Sequence, residues 1–354
     1  MERPLPEARL YLDHAATTPM TDAAREAVAE GMARWANPSS PHAEGRAARA
    51  ALEEARGRIA DAYGWRGELL FTSGASEALG IALARATPAR RIVSAVEHDA
   101  VLRAAGQARV LAVDPLGRVD PAAIDAHDAL VAVQWANSET GVMQPIAAVA
   151  DAVHDAGGLL LVDAAQMPAS PALAAHADFV ALSAHKRGGP PGVGALLVRD
   201  LATLSPTGGQ ERGYRPGTEN LPGVLGYAAA LAEPEPDHDA LRARLDDAIR
   251  RSGGIVVGDG ATRHPAIGSY RLPGMAATAQ LIRFDLDGIA VSAGSACASG
   301  SMKPSHVLRA MGWGEDAVRE VVRVSFGRTT TAADVDRFIA AWRGVARGAR
   351  AFAA

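Results

Sequence analysis

The segment GLLLVDAAQMPASPALAAHADFVALSAHKRGGPPGVGALLV, residues 158–198, is the stretch that decides the fold. Its two apolar runs, LLLVDAA and DFVALSA, have the length of β-strands. They are apolar on both faces, which is typical of parallel strands covered by helices. Asp163 ends the first run and Lys186 follows the second. The segment therefore predicts two buried strands that each end near a charged side chain.

The same pattern extends over the chain from Phe71 to Val198. The other runs of strand length are ELLFTS, RRIVSAV, ARVLAVD and ALVAVQWA, and the helical stretch PIAAVADAVHDAG ends at a glycine. The segment HAEGRAARAALEEARGRIADAYG, which precedes these strands, predicts a long amphipathic helix. An alternation of buried strands and helices predicts an α/β fold.

A change of pattern marks a boundary after these strands. A helix-like region from Leu221 to Arg251 is interrupted by EPEPDHD. The remainder of the chain mixes strands (AIGSYRL, VVRVSFG) with helices (TAQLIRFDLDG, AADVDRFIAAWRGVA). We predict a large domain over residues 12–235, and a smaller α+β domain formed by residues 1–11 and 236–354.

The composition narrows the classes of function. The 354 residues are 48% hydrophobic and 21% charged, and a formal net charge of −4 gives no indication of nucleic acid or of an anionic membrane as partner. The single cysteine, Cys297, excludes an intrachain disulfide and a multi-cysteine metal site, and it favours a reducing cytoplasm. We predict no metal, no signal peptide and no membrane span, because the apolar runs are too short.

Lys186 and Asp163 are the first candidates for chemistry. A lysine at a strand end beside Ser183 and His185 can lose its solvent and form a Schiff base with an aldehyde. An aspartate at a neighbouring strand end can hold a pyridinium nitrogen protonated, so the pair favours pyridoxal 5′-phosphate (PLP) chemistry. For either residue alone the alternative is ordinary: a lysine in a loop usually faces solvent, and Asp163 could equally cap a helix.

Two further segments add to this interpretation. In FTSGASEALG a strand runs through Gly74, Ala75 and Ser76 into a helix, whose N-terminal amides favour a phosphate. In AVEHDAV, His98 follows another strand, where its ring could stack on a cofactor and carry protons. Small residues at such turns are common and a surface histidine is as good an interpretation of His98, so each segment is a weak indication alone.

Taken together, the motifs resemble those of the cysteine desulfurases, which are PLP enzymes of the aminotransferase-like fold. The matching segments occur in the family's order and span nearly the whole chain: YLDHAATTP, NPSSPHAEG, FTSGASEA, EHDAVL, NSETGVMQP, VDAAQ, SAHKRGGPPGVGAL, GGQERGYRPGTEN, VSAGSACASGSMKPSHVLRAMG and VRVSFGRTT. The resemblance implies PLP fold type I, in which a mostly parallel seven-stranded sheet lies between helices. The long segment after Cys297 is similar to the desulfurase subgroup that serves iron–sulfur assembly.

The resemblance also implies roles for single residues. Lys186 would carry PLP, Asp163 would pair with its pyridine nitrogen, and His98 would stack over its ring as the acid/base group. Gln166 would reach the phenolic oxygen of PLP. The other implied contacts are a phosphate cup made of Ala75, Ser76, Ser183 and His185, a phosphate contact from Thr218 to the neighbouring subunit of a homodimer, and a substrate-carboxylate site made of Arg323 with Asn37.

Cys297 acquires a purpose through this resemblance. Its thiolate would take the sulfur of free L-cysteine as a persulfide, leave alanine, and pass the sulfur to an acceptor such as an iron–sulfur scaffold or a tRNA-modifying enzyme. A Gly/Ser/Ala segment gives a thiol the freedom for this transfer. The alternative is a buried, inert cysteine, against which GSACASGS argues because it lacks apolar periodicity.

Two positions depart from the family pattern. The family usually has asparagine where this chain has Ser138, so the PLP phenolic oxygen is contacted by Ser138, by Asn137, or by neither. His14 stands where asparagine is frequent. The rival functions are a selenocysteine lyase, an aminotransferase, or a scaffold protein without catalysis; retention of Lys186 and Asp163 argues against the last.

Overall fold

Residues 9–294 and 304–353 are described by the computed structural model of this chain. Its strands, in chain order, are β1 Leu10–Tyr11, β2 Glu68–Thr72, β3 Arg90–Ser94, β4 Arg109–Leu111, β5 Ala129–Gln134, β6 Leu159–Asp163, β7 Phe179–Ser183, β8 Gly194–Val198, β9 Ile255–Val256, β10 Ile267–Arg271, β11 Ile289–Ala290 and β12 Val321–Ser325. Its helices are α1 Asp22–Ala33, α2 Ala43–Ala62, α3 Ala75–Arg85, α4 Asp99–Ala104, α5 Ile146–Asp155, α6 Ala172–His176, α7 Leu221–Ala232, α8 Asp239–Arg251, α9 Ala277–Leu286, α10 His306–Ala310, α11 Glu315–Val318 and α12 Ala332–Ala353.

The central feature is a seven-stranded sheet with the strand order β2-β8-β7-β6-β5-β3-β4. Strands β3 to β7 run parallel to their neighbours among themselves, whereas β8 is antiparallel to both β2 and β7. This arrangement confirms the predicted mostly parallel sheet. The six apolar runs quoted above form β2 to β7, and the seventh strand, β8, comes from the end of the segment 158–198.

Helices cover both faces of this sheet, which explains why its strands are apolar throughout. In β6, Leu160 and Val162 point to a core shared with α2, α5 and α7, whereas Leu161 points to a core shared with α3 and α4. Successive side chains of a strand alternate between faces, so a strand buried on both sides must be apolar at every position. The amphipathic helix predicted before the strands is α2, whose Leu52 and Ile59 lie in the first core.

The C-terminal part of the chain builds a second core. A three-stranded antiparallel sheet, β12-β10-β9, packs with α8, α9 and α12 around Trp342 and Tyr270, which are fully buried. Strand β1 pairs in parallel with β11, so Leu10 and Leu12 belong to this core. The predicted strands and helices of this region are confirmed, and the interruption EPEPDHD separates α7 from α8. The domain boundaries at residues 12–235 stay a prediction.

Polar contacts join the two cores near the end of the central sheet. Arg328, which follows β12, donates from Nη1 to the backbone oxygen of Arg187 at 3.0 Å, and both guanidinium groups pair with Glu235. A small apolar cluster around Val96 and Leu308 brings α10 against the end of β3. In the residues that the structure describes, no helix is long and apolar enough to cross a membrane.

Candidate active site

A cavity of about 520 Å³ lies at the carboxyl ends of the parallel strands. Ligands of open α/β sheets bind at this edge, because the loops after the strands diverge there. Eleven of the predicted site residues line this cavity together: Ala75, Ser76, His98, Asn137, Ser138, Asp163, Gln166, Ser183, His185, Lys186 and Arg323. The structure thus places in one cavity residues that are far apart in the sequence.

The N-terminus of α3 forms one end of the cavity. Gly74 is its N-cap residue, and no described side chain caps the helix there. The first backbone N–H groups of a helix have no acceptor within the helix, so an uncapped start favours an anion. Gly194 must be glycine, because a Cβ there would lie 2.6 Å from the Gly74 Cα. This close approach sets the turn that carries Ala75 and Ser76.

Asp163 and Lys186 occupy the middle of the cavity wall. Asp163 is the last residue of β6, paired with Gln134 of β5 and Ala181 of β7, and its Oδ1 accepts the N–H of Ala165 at 2.9 Å. Lys186 lies in a single 3₁₀ turn directly after β7. Because β6 and β7 are parallel neighbours, their two charged side chains reach the same edge of the sheet.

The composition of the chain gives a further indication for Lys186 that does not depend on the motifs. The sequence holds only two lysines, Lys186 and Lys303, among its 36 basic residues. Lys186 lines the cavity, and Lys303 lies outside the described residues. A simple count of lysines therefore reduces the candidates for a Schiff-base lysine to two before any motif is considered.

His98 is held by its own helix. It is the N-cap of α4, and its Nδ1 accepts the N–H of Ala100 at 3.1 Å. In the neutral ring the proton therefore resides on Nε2. Burial lowers the pKa of His98, so the imidazole is neutral at pH 7. A neutral imidazole with a fixed tautomer suits both packing against an aromatic cofactor and proton transfer.

The open choice between Asn137 and Ser138 is narrowed by their contacts. The Asn137 amide is used within its own turn: Oδ1 accepts from the N–H of Glu139 and of Thr140, and Nδ2 donates to Val96 O at 3.0 Å. The Ser138 side chain makes no such hydrogen bond to the residues that the structure describes. Gln166 donates from Nε2 to Ala15 O at 3.0 Å. The internal contacts of Asn137 favour Ser138 over Asn137 for a contact to a bound phenolic oxygen, and which residue makes that contact stays a prediction.

Arg323 closes the cavity from the small sheet. It lies in β12 and is 6% exposed. Its Nη1 donates to Ser138 O at 2.8 Å and its Nη2 to Asp13 Oδ1 at 2.7 Å, whereas its Nε has no acceptor among the described residues. A buried N–H without an acceptor is costly, and a ligand carboxylate would satisfy it.

Three acidic residues around the cavity were not foreseen. Glu97 is fully buried; its Oε1 accepts from Ser94 Oγ at 2.6 Å and from Gln134 N at 2.9 Å, and burial raises its pKa to about 8. Burial also raises the pKa of Glu139. Asp13 pairs with Arg323. The sequence signal was adjacency, because Glu97 precedes His98 and Glu139 follows Ser138.

Two predicted residues, Asn37 and Thr218, do not line the cavity of their own chain, and a third lies outside the described residues. Asn37 is exposed, and its Oδ1 accepts the N–H of Ser39 at 2.9 Å. Thr218 is exposed on the segment before α7. Cys297 lies outside the described residues, but Gly294 and His306, on either side of that segment, both line the cavity. These three roles stay predictions.

Comparison with known proteins agrees with this geometry. The class-V aminotransferase family matches residues 10–338. A cysteine desulfurase of Cereibacter sphaeroides is 39% identical over 364 residues, which cover 94% of each chain. An IscS-like cysteine desulfurase of Mycobacterium tuberculosis is 38% identical and covers 96% of this chain and 97% of its own.

The chain belongs to the cysteine desulfurase family. Its fold agrees with that of a NifS-like protein from Rickettsia africae, with a TM-score of 0.85 at 28% identity over 95% of this chain and 99% of the other. Desulfurases of this family depend on PLP, so both the fold and the cofactor predicted from the motifs are confirmed.

The residues of this desulfurase chain fit PLP. The uncapped start of α3 offers amides to a phosphate, and Ser76, Ser183 and His185 line the same cavity. Lys186 offers the amine that a PLP aldehyde requires, and Asp163 the carboxylate that its ring nitrogen requires. The phosphate, the aldehyde and the ring nitrogen of the cofactor thus each have a candidate partner of suitable chemistry in the described cavity.

A second cavity of about 490 Å³ lies between the two cores of the desulfurase, and Lys186 also borders it. Three buried histidines line it: His14, His238 and His264. His14 Nδ1 is 3.2 Å from Thr18 Oγ1, and His264 Nδ1 accepts the N–H of Ala266 at 3.1 Å. Burial lowers the pKa of His14 to about 4 and that of His264 to about 3.

These histidines make the free energy of unfolding depend on pH. Between about pH 4 and pH 6.5, His14 and His264 bind protons when unfolded but stay neutral when folded. Their contribution to stability is therefore complete above pH 6.5 and is lost as the pH falls. From pH 7 to pH 5, His264 should cost about 2 kcal/mol of unfolding free energy. Urea denaturation of the wild type and of His264→Asn, at both pH values, should show the smaller loss in the variant. Equal losses would exclude His264 as a cause.

Proposed function

We propose that this protein is a cysteine desulfurase that converts L-cysteine to L-alanine and stores the sulfur as a persulfide on Cys297. The observation that carries the proposal is the single cavity in which Lys186, Asp163 and Arg323 meet. A lysine and an aspartate suit PLP, and a buried arginine suits the carboxylate of an amino-acid substrate. The relatives named above share this activity by name.

The proposed reaction gives separate roles to Arg323, Lys186 and His98. PLP, when bound, supplies an aldehyde for the substrate amine and an electron sink for charge that develops at the substrate Cα. Arg323 binds the substrate carboxylate and so orients the Cα–H bond toward Lys186. The amine of Lys186, once it is free, takes that proton as a general base. Neutral His98 supports a second proton transfer through Nε2–H, because its Nδ1 is occupied as the acceptor of its own helix cap.

Cys297 would complete the reaction. Its thiolate attacks the substrate sulfur, an S–S bond forms, the substrate Cβ–S bond breaks, and the carbon fragment takes a proton to become alanine. The position of the described neighbours supports this role. Gly294 lines the cavity and Cys297 follows it by three residues, a length of chain that spans at most about 11 Å.

The acceptor of the sulfur is the finer part of the proposal. The IscS-like name of one relative supports an iron–sulfur scaffold as acceptor. The cytoplasmic location predicted from the single cysteine belongs to the same proposal. Both can be tested by adding a candidate scaffold protein to enzyme that carries labelled sulfur and by following the label between the two chains.

The function is tested by measuring the ratio of alanine to sulfide that the protein forms from L-cysteine. The purified, PLP-loaded protein is given L-cysteine, and alanine and sulfide are measured with a thiol reductant present. Equal amounts of alanine and sulfide are expected. Pyruvate in place of alanine, or transfer of the amine to a keto acid, would contradict the proposal. Protein that binds no PLP would instead favour a scaffold without catalysis.

We also propose that the active site is shared between two copies of the chain. Thr218 is exposed and lies outside the cavity of its own chain, in the segment 207–219 that Glu211 fixes to the body of the protein. Glu211 accepts from Arg56 at 2.7 Å and from the N–H of Phe71 at 2.8 Å, and it holds a φ of 49°. A fixed, outward-facing segment suits a contact with a second subunit.

Mixed dimers test this sharing. Thr218→Val should weaken PLP binding by about tenfold, the value of one hydrogen bond to a charged group. In a dimer of one Thr218→Val chain and one Lys186→Ala chain, sharing leaves one complete site, so PLP affinity at the remaining Lys186 returns to the wild-type value. If Thr218 serves its own chain, that site keeps the weakened affinity. Size-exclusion chromatography with tagged copies identifies the mixed species.

A further inference from the structure

Arg323 is fixed on more than one side. Its backbone pairs with Ser269 of β10, and its N–H donates to Ser292 O at 2.7 Å. Its guanidinium is held at Nη1 by Ser138 O and at Nη2 by Asp13 Oδ1. The edge that carries Nε–H is therefore the part of the group left for a ligand, and this N–H is buried and has no acceptor among the described residues.

Asp13 reaches Arg323 from the other end of the chain. Its backbone forms a bridge with Ser325, and Ser325 N donates to Leu12 O at 2.8 Å. Tyr11 Oη donates to Asp13 O at 3.1 Å. Asp13 does not line the cavity, so a ligand there touches Arg323 and not Asp13. Any effect of Asp13 on a ligand must therefore pass through the guanidinium.

We propose that Asp13 is a positioning residue for substrate recognition, whose carboxylate holds Arg323 so that the Nε–H edge faces the carboxylate of the amino-acid substrate. The proposal rests on the proposed function of Arg323. A charged guanidinium that is 6% exposed also requires a counter-charge before the substrate arrives, and the pair at 2.7 Å provides it. Without Asp13, Ser138 O would be the remaining acceptor for this guanidinium in the part of the chain that the structure describes.

Three variants of Asp13 separate its effect on the orientation of Arg323 from the effect of its negative charge. Asp13→Ala should raise KM for L-cysteine by about tenfold or more, with kcat changed by less than about twofold, because a hydrogen bond to a charged group is lost in substrate binding. Asp13→Asn keeps an acceptor for Nη2 and should restore KM to within about threefold of the wild type. Asp13→Glu keeps the charge but moves the carboxylate by one methylene group, and should raise KM.

Binding without turnover gives a second measurement. The dissociation constants of L-alanine and of ethylamine, which lacks the carboxylate, are measured from the spectrum of the PLP-loaded protein. Asp13→Ala should weaken alanine and leave ethylamine unchanged. The matched control is Asp285→Ala, which removes an exposed ion pair with Arg9 in the same part of the chain and should change neither constant.

The outcomes distinguish the two proposals. If Arg323→Ala raises KM for L-cysteine but Asp13→Ala and Asp13→Glu do not, the role of Asp13 is wrong and the function stands. If Arg323→Ala leaves KM unchanged, the carboxylate site itself is wrong. An equal weakening of alanine and ethylamine in Asp13→Ala would show a general structural effect, and it would overturn the proposal. Should Asp13→Ala not fold, Asp13→Glu carries the test.

Discussion

Replacing Lys186 by alanine should abolish the desulfurase reaction. The substitution removes both the amine that binds PLP covalently and the base that takes the substrate proton. Loss of a positioned proton-transfer group alone costs about 10²- to 10⁴-fold in rate, so turnover should fall by at least that factor. The measurement is alanine formed from L-cysteine at saturating PLP. The fold should persist, because Lys186 borders cavities and is absent from both cores.

Because the chain has two lysines, the lysine that binds PLP covalently can be identified directly. Borohydride reduction of the PLP-loaded protein should attach the cofactor to the peptide that contains Lys186, and to no other. Lys303→Ala is the matched control, because it removes the remaining lysine and should leave both the label and the rate unchanged. A label that persists in Lys186→Ala, or that disappears in Lys303→Ala, would show that Lys186 is not the residue that binds PLP covalently.

Replacing Cys297 by serine should stop the release of sulfide from L-cysteine while PLP stays bound. A serine hydroxyl is not ionised at neutral pH and cannot store sulfur as a persulfide. Sulfide and alanine should both fall to the background rate. Since Cys297 is the single cysteine, the persulfide of the wild type must appear as one sulfur added to one peptide in the mass spectrum.

Controls for this variant are available in the same segment and in the choice of substrate. Ser299→Ala alters the segment without touching the thiol and should leave turnover unchanged. Selenocysteine distinguishes the rival function: a selenocysteine lyase should keep its activity in Cys297→Ser. Full sulfide release from L-cysteine by Cys297→Ser would rule out the persulfide route.

Much of the site was readable from the sequence because its residues follow strands. The runs LLLVDAA and DFVALSA are buried on both faces, so Asp163 and Lys186 had to lie where those runs end. The turn before α3 was readable from its small residues, and its Gly74 has a φ of 151° that few other residues adopt. Resemblance then added Gln166, Ser183 and His185, which the structure places in the same cavity.

Other features required contacts between distant parts of the chain. Asp13 and Arg323 are 310 positions apart, and nothing in either local sequence indicates that they pair. The raised pKa of Glu97 depends on complete burial between β3 and β5, which no local pattern specifies. The internal hydrogen bonds of Asn137, which bear on whether Asn137 or Ser138 contacts PLP, also form only in the folded turn. The contact between Glu211 and Arg56 likewise joins residues that are 155 positions apart.

The sequence by itself determined the strands, the helices that cover them, and the charged residues at the strand ends, because periodicity and burial act over a few neighbouring residues. The tertiary structure decided which carboxylate pairs with which guanidinium and which acidic side chains are buried away from solvent. It also decided which of the described predicted residues do not line the cavity of their own chain. Those properties depend on distance and on dielectric surroundings, and both arise only when the two cores are packed together.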